Sequence, residues 1–268
     1  MEKDDWRRSP AQIMGVVNIT PDSFSDGGRF HQPQKALEQI LRLVDDGADI
    51  VDIGAESSRP GARLIPAEEE WQRLEPVLER LSTRQIGAKL SVDTNKPEIM
   101  RRVIPYGVDI INDIKGGADD DSLKNLAENH LTYIAMHMHR TPEDMQQAPL
   151  DGDEAIAAVD AFFAQTRSRL MLAGFPESAV WLDPGIGFGK TDRANLRLLK
   201  YSLKISDQYH VVVGISRKSL IGRLLGIDSP VERDGPSKML ELGLLLGGIR
   251  MIRTHDVKSL NHMRSLLS

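Results

Sequence analysis

Eight short apolar runs recur along the chain, beginning near residues 12, 48, 89, 108, 131, 180, 211 and 251, with helical patterns between them. Strands that alternate with helices in this way form parallel sheets, because a parallel strand needs a long crossover to return to the same end. The runs are Gln12 to Asn18, Ala48 to Gly54, Lys89 to Asp93, Val108 to Asn112, Leu131 to Met136, Val180 to Leu182, Val211 to Gly214 and Met251 to Thr254. The first helix is expected over Pro33 to Asp46: Ala36, Leu37, Ile40, Leu41 and Val44 share one face of a 3.6-residue period, and Gly47 stops it. Others are expected over Ala67 to Leu81, Lys96 to Tyr106, Ser122 to Asn129, Asp153 to Ala173, Leu196 to Ile205, Ser237 to Gly247 and Val257 to Leu267. No linker-like segment or break in composition interrupts the series. The 268 residues therefore predict an α/β fold, a single-domain (β/α)8 TIM barrel over 1–268 with 1–10 as a loose lead-in. An open doubly wound sheet is the alternative.

Composition narrows the function. A net charge of −5 argues against nucleic acid or a membrane surface as partner. The longest run free of polar side chains, Leu242 to Ile249, is far short of the roughly 20 residues of a membrane span. The absence of cysteine excludes disulfides, thiolate ligands and a cysteine nucleophile, and fits a cytoplasmic protein. The opening MEKDDWRRSP lacks the apolar core of a signal peptide.

The carboxyl ends of the strands carry the chemistry. In order they deliver Asn18; Glu56, Ser57, Ser58 and Arg59; Asp93; Asn112; Met136 and His137; Asp183; Ser216, Arg217 and Lys218; and Arg253 and His255. A lone Asp or Asn after a strand is usually a turn former or a helix cap. Asp93 before Lys96-Pro97 fits that description, and Asp113 is expected to face away from Asn112. In a barrel, however, all these ends open on one mouth. The groups divide into a cationic half (Arg59, Lys218, Arg253 and His255, with Arg217 nearby) suited to phosphate, and a half made of Asp93, Asn112 and Asp183. A carboxylate there matches two adjacent N–H donors on a flat heterocycle, and an amide supplies a donor and an acceptor. Glycines in DPGIGFGK let backbone approach such a ring, and the run lacks the spacing of a nucleotide-binding P-loop. The His137-Met138-His139 pair could ligate a metal, but no third strand-end histidine joins it.

Taken together, NITPDSFSDGG, GAESSRPGA, SVDTNKP, INDIKGG, AMHM followed by TPEDMQ, LDPGIGFGK, GISRKSLIG and IRTHDV resemble the bacterial dihydropteroate synthase family, in order, from about residue 13 to 260. The resemblance implies a (β/α)8 barrel that joins 6-hydroxymethyl-7,8-dihydropterin diphosphate to p-aminobenzoate, releasing pyrophosphate and forming 7,8-dihydropteroate. It further implies a folate-biosynthesis transferase, a sulfonamide target and a homodimer formed through C-terminal helices. By resemblance, Asp93, Asn112, Asp183 and Lys218 would hold the pterin, with Met136 and Phe188 packing near the ring. Asn18, Arg253 and His255 would hold the diphosphate, with Mg2+ at Asn18. Phe24 on the first loop, and Ser58, Arg59 and Pro60 on the second, would complete the p-aminobenzoate pocket, and Ser216 would meet that substrate's carboxylate. Asp93, Asp183, Lys218, Arg253 and His255 would act on the reacting groups. The implied chemistry is dissociative, with pyrophosphate leaving ahead of amine attack.

The chain departs from the family pattern in places. Ala55 and Ser58 stand where Gly and Thr are usual, His139-Arg140 replaces Gln-Gly, and GPSKMLELGLLLGG is less alanine-rich. Three other readings share the barrel. A corrinoid-type methyltransferase domain would not need the diphosphate cluster. An inactive pterin-binding paralogue and a metal-dependent hydrolase are the others.

Overall fold

Residues 10–20, 28–57 and 61–267 are described by the computed structural model, the side chains of 28–32 excepted. Among these residues the eight runs are all strands: β1 (Gln12–Asn18), β2 (Ile50–Gly54), β3 (Lys89–Asp93), β4 (Ile110–Asp113), β5 (Thr132–Met136), β6 (Val180–Asp183), β7 (Val212–Gly214) and β8 (Met251–Thr254). They run parallel in the order β6-β5-β4-β3-β2-β1-β8-β7. At the remaining seam Leu182 N donates to His210 O at 2.9 Å, beside a parallel bridge between Leu182 and Val211. That contact joins the two edges, so the sheet is a barrel and the open doubly wound alternative fails.

The surrounding helices are α1 (Gly28–Asp45), α2 (Ala67–Ser82), α3 (Pro97–Val103), α4 (Asp120–Glu128), α5 (Gly152–Leu172), α6 (Asp192–Ile205), α7 (Ser219–Leu225), α8 (Asp234–Leu246) and α9 (Val257–Ser265). Two of them start at least four residues earlier than expected. Thr191 caps α6, its hydroxyl accepting from Ala194 N at 3.1 Å, which brings the polar residues before Leu196 into the helix. α1 runs through Pro33 rather than starting there. A proline removes one intrahelical donor, and α1 carries that loss near its start. The first loop therefore ends earlier than a helix start at Pro33 implies, because Gly28 to Phe30 belong to α1. Phe24 and Gly27 lie outside the described residues.

Strand parity explains how an apolar barrel acquires a polar mouth. Side chains two apart share a face. On the inner face Met14, Ile50, Ile110, Ile134, Val212 and Met251 form a dry plug, with Trp181 against it. The next inward positions are Val16, Asp52, Asn112, Met136, Asp183, Gly214 and Arg253, and beyond them come Asn18, Gly54 and His255. Ile13, Val17, Val51, Ile53, Val92, Ile111 and Tyr133 face outward and pack on the helix ring. Each such side chain contributes about 1.5–3 kcal/mol on burial. The outer layer therefore fixes register, and register carries the polar inward set to one end.

The three glutamates at the start of α2 do more than complement the helix dipole. Glu68 accepts from Arg102 at 2.9 Å, Glu69 pairs with Arg73, and the fully buried Glu70 meets Lys96. Lys96 also contacts Glu56, at 3.0 Å, and Glu56 Oε1 accepts from Ile65 N at 2.6 Å. These contacts tie the two ends of the second loop to α2 and to the start of α3.

Candidate active site

Arg253 reaches across the barrel mouth from β8. Its Nε donates to Asp52 Oδ2 at 2.7 Å and its Nη2 to Asp93 Oδ2 at 3.0 Å. Asp52, with no exposed surface, also accepts from Asn112 Nδ2 at 3.0 Å and Ser91 Oγ at 2.6 Å. Four strands thus meet at one carboxylate. Asp93 is no helix cap, since α3 begins at Pro97 and the cap position, Lys96, carries no side-chain capping bond. Burial, and then the Asp52 carboxylate, push the Asp93 carboxyl up against the pull of Arg253. Asp113, as expected from parity, faces outward: its Oδ2 takes the Tyr133 hydroxyl and the Gly117 amide, and its Oδ1 the Lys115 amide.

The loop after β6 forms the opposite wall. Asp183 Oδ1 accepts from Gly185 N at 2.7 Å, and Asp183 pairs in register with the buried Met136. Lys218 donates to the carbonyl of Ile186, with its Nζ 4.6 Å from the centre of the Phe188 ring. Burial brings the Lys218 ammonium down to about 8, even though the neighbouring Asp183 carboxylate favours its charge. Asp183 is raised by burial, and Lys218 opposes that shift. An acid and a base that both resist desolvation, beside an aromatic face, make a site for a flat polar ring.

The backbone here requires glycine. Gly185 has φ +65°, and a Cβ on it would lie 1.9 Å from His137 O. Gly185→Ala is expected to destabilise the protein by about 1–3 kcal/mol or more, through strain and displacement of the loop. Urea unfolding of the two proteins checks it, and equal midpoints would contradict the backbone described.

The third side of the mouth lies between β7 and β8. Ser216 Oγ accepts from His255 N at 3.1 Å and lies 3.1 Å from His255 Nδ1. Arg217, at φ +57°, turns away and forms a two-bond pair with Asp234, Nε to Oδ1 at 2.7 Å and Nη2 to Oδ2 at 2.8 Å. It is therefore a structural cation and not a member of the mouth. The expected separation into cationic and carboxylate halves is also replaced by interleaving. Arg253 lies between Asp52 and Asp93, and Lys218 lies beside Asp183.

The strand ends bring Asp93, Asn112, Met136, Asp183, Phe188, Ser216, Lys218, Arg253 and His255 to the same end of the barrel, with Asn18 paired in register to Gly54. Phe24, Ser58, Arg59 and Pro60 fall outside the described residues. His137 is buried with its ring edge-on to Phe162 at 5.4 Å, and burial pushes its imidazole down to about 3. Among the described residues no three His, Asp or Glu side chains gather as a cation site. Asn18 supplies one hard oxygen at most, which fits Mg2+ only in company with substrate oxygens.

Two residues that sequence reasoning did not single out emerge. Asp52 was visible as an acid inside an apolar strand, with inward parity. Lys190 closes the glycine-rich loop, where a terminal lysine reads as an ordinary surface charge.

Residues 14–255 match a family described as pterin binding enzyme. The chain is 39% identical over 254 residues to the dihydropteroate synthase of Escherichia coli strain K12, covering 93% of this chain and 88% of that one. It superposes on Xanthomonas albilineans dihydropteroate synthase with 4-aminobenzoic acid at a TM-score of 0.88 and 37% identity, covering 97% and 93% of the two chains. The same enzyme in complex with 7,8-dihydropteroate gives 0.84 and 34%, over 97% and 93%.

Proposed function

The chain belongs to the dihydropteroate synthase family of pterin-binding enzymes, and we propose that it condenses 6-hydroxymethyl-7,8-dihydropterin diphosphate with p-aminobenzoate, giving 7,8-dihydropteroate and pyrophosphate. The observation that carries this reading is the convergence of Asp93, Asn112, Asp183 and Lys218, with the Phe188 ring, on one barrel mouth.

The pterin ring sits between these groups. Asp183 and Asp93 accept from its N–H edge, Asn112 supplies the complementary pair, and Lys218 donates to a ring acceptor. The bond between the pterin methylene and the diphosphate oxygen then breaks, and its electron pair leaves with pyrophosphate. Positive charge develops on the methylene and the conjugated ring, where the Asp93 and Asp183 carboxylates stabilise it. Such preorganised charge is usually the largest single contribution in a site of this kind. Asn18 and His255 bind the leaving group, and Arg253 adds its positive field from β8. Asn18, together with substrate oxygens, would hold Mg2+, which would supply neutralisation of diphosphate charge. The amine lone pair of p-aminobenzoate attacks the methylene, and the nitrogen sheds a proton afterwards. Ser216 meets the carboxylate of p-aminobenzoate, and Phe24, Ser58, Arg59 and Pro60, outside the described residues, are assigned to the same substrate by resemblance. Sulfonamides, which mimic p-aminobenzoate, compete there.

A coupled pyrophosphate assay tests the reading. With both substrates and Mg2+, pyrophosphate and dihydropteroate are expected in equal amounts, and chelating Mg2+ abolishes both. Pterin binding without any release would instead mark an inactive pterin-binding paralogue, and a failure to bind pterin at all would reject the site.

The assembly we propose is a homodimer through the C-terminal helices, in the cytoplasm. α8 leaves Met239 77% and Leu246 66% exposed, an apolar stripe that a second copy would cover. Light scattering should give twice the chain mass for the wild type and the single-chain mass for Met239→Glu/Leu246→Glu. A monomeric wild type would contradict the assembly. No helix among the described residues is long and apolar enough to cross a membrane.

A further inference from the structure

Lys190 lies at the end of the glycine-rich loop with only 2% of its surface exposed. A buried ammonium is costly unless each of its three donors is satisfied. Here Nζ donates to Gly185 O at 2.9 Å, Phe188 O at 2.9 Å and His137 O at 3.1 Å. Two acceptors belong to the loop after β6 and the third to the end of β5. They converge because Gly185, Gly187 and Gly189 all adopt positive φ, which curls the segment around its own lysine. Asn195 on α6 completes the cradle: its Oδ1 accepts from Gly187 N at 2.7 Å, and its Nδ2 donates to Lys190 O at 3.1 Å and Thr191 O at 2.9 Å.

We propose that Lys190 is a positioning residue: its ammonium, at the focus of three backbone carbonyls from two strand-end loops, holds the Gly185–Phe188 segment in the shape that receives the pterin. Lys190 touches no ring itself and acts through three groups of the site. With the carbonyls of Gly185 and Phe188 turned inward to the ammonium, the Gly185 amide is left to orient Asp183, at 2.7 Å. The Ile186 carbonyl, between those two, is left for Lys218. Fixing the Phe188 backbone places its ring 4.6 Å from the Lys218 ammonium. Burial brings the Lys190 ammonium down to about 7 while the Asp183 carboxylate favours its charge, and the ammonium in turn favours the ionised Asp183. A neutral side chain of similar length removes both the three bonds and the charge, while Ser216, just after β7, keeps its own contacts with His255.

The inference rests on the pterin-site reading of Asp183 and Lys218, and the experiment separates the two. Calorimetry with 6-hydroxymethyl-7,8-dihydropterin diphosphate and steady-state kinetics are run on wild type and Lys190→Met. The expected result is a rise of at least about tenfold in the pterin Kd and KM, with the p-aminobenzoate KM changed less than threefold. A general loss of fold would not divide the two substrates in this way. Equal pterin affinity in the variant overturns the role of Lys190 alone, and no pterin binding to wild type overturns both readings. Should Lys190→Met fail to fold, hydrogen exchange on the wild type decides. Gly185 and Gly187 amides protected before any ligand is added support a preset loop; rapid exchange that slows only with pterin overturns it.

Discussion

Lys218→Ala is expected to reduce kcat/KM at least about 100-fold, and Asp183→Asn to a similar extent, each a loss of roughly 2–4 kcal/mol. The size follows from burial. Lys218 sits in the wall of the mouth, bonded to the Ile186 carbonyl and stacked on Phe188, and its ammonium is desolvated enough to fall to about 8. Asp183 is 7% exposed and aligned by the Gly185 amide. A buried ligand polar group that loses a charged partner cannot turn to water instead, so the full desolvation cost appears. Steady-state kinetics on the two variants, with circular dichroism to confirm folding, check this. Activity within threefold of wild type in either variant would remove that residue from the site.

Asp52→Ala should cost about 3–5 kcal/mol of stability, because it leaves the Arg253 guanidinium without its shorter ion pair in a buried setting. For a chain of this length that corresponds to a fall in Tm on the order of 10 °C. Asn112 Nδ2 and Ser91 Oγ lose the same acceptor, so three donors from β3, β4 and β8 are released together. Activity should fall as well, since Asn112 and Arg253 no longer have a fixed direction. Calorimetric unfolding reads the first effect. A Tm within about 2 °C of wild type would show that the hub is not a hub.

The fold was legible because its outward and inward faces are written separately in each strand. Apolar residues such as Ile13, Val51 and Ile111 fix the outer layer, and Asn18, Asp93, Asn112 and Asp183 come at the same phase near each strand end. Parity alone therefore placed these groups in one mouth. It could not say where a long side chain ends. Arg253 is on the right face, yet its reach carries it to Asp52 and Asp93, on strands far away in sequence. Arg217 is adjacent to Lys218, but a left-handed backbone turns it to Asp234. Asp52 was visible as a single acid with inward parity, but a strand pattern read from its apolar neighbours passes over it. Lys190 was hidden because a lysine's partners here are backbone carbonyls, which sequence does not label. The start of α1 was misplaced for a simpler reason: proline favours the first helical turn, and Pro33 lies beyond it.

The central claim is that β3, β4, β6 and the segment after β7 build one pterin site, and a crystal structure with 6-hydroxymethyl-7,8-dihydropterin diphosphate tests it most directly. The ring is expected between Phe188 and the inner wall, with Asp93, Asn112, Asp183 and Lys218 all within hydrogen-bond distance and the diphosphate towards Asn18 and His255. A ring bound elsewhere, or at this mouth with Asp183 and Lys218 untouched, would contradict the account.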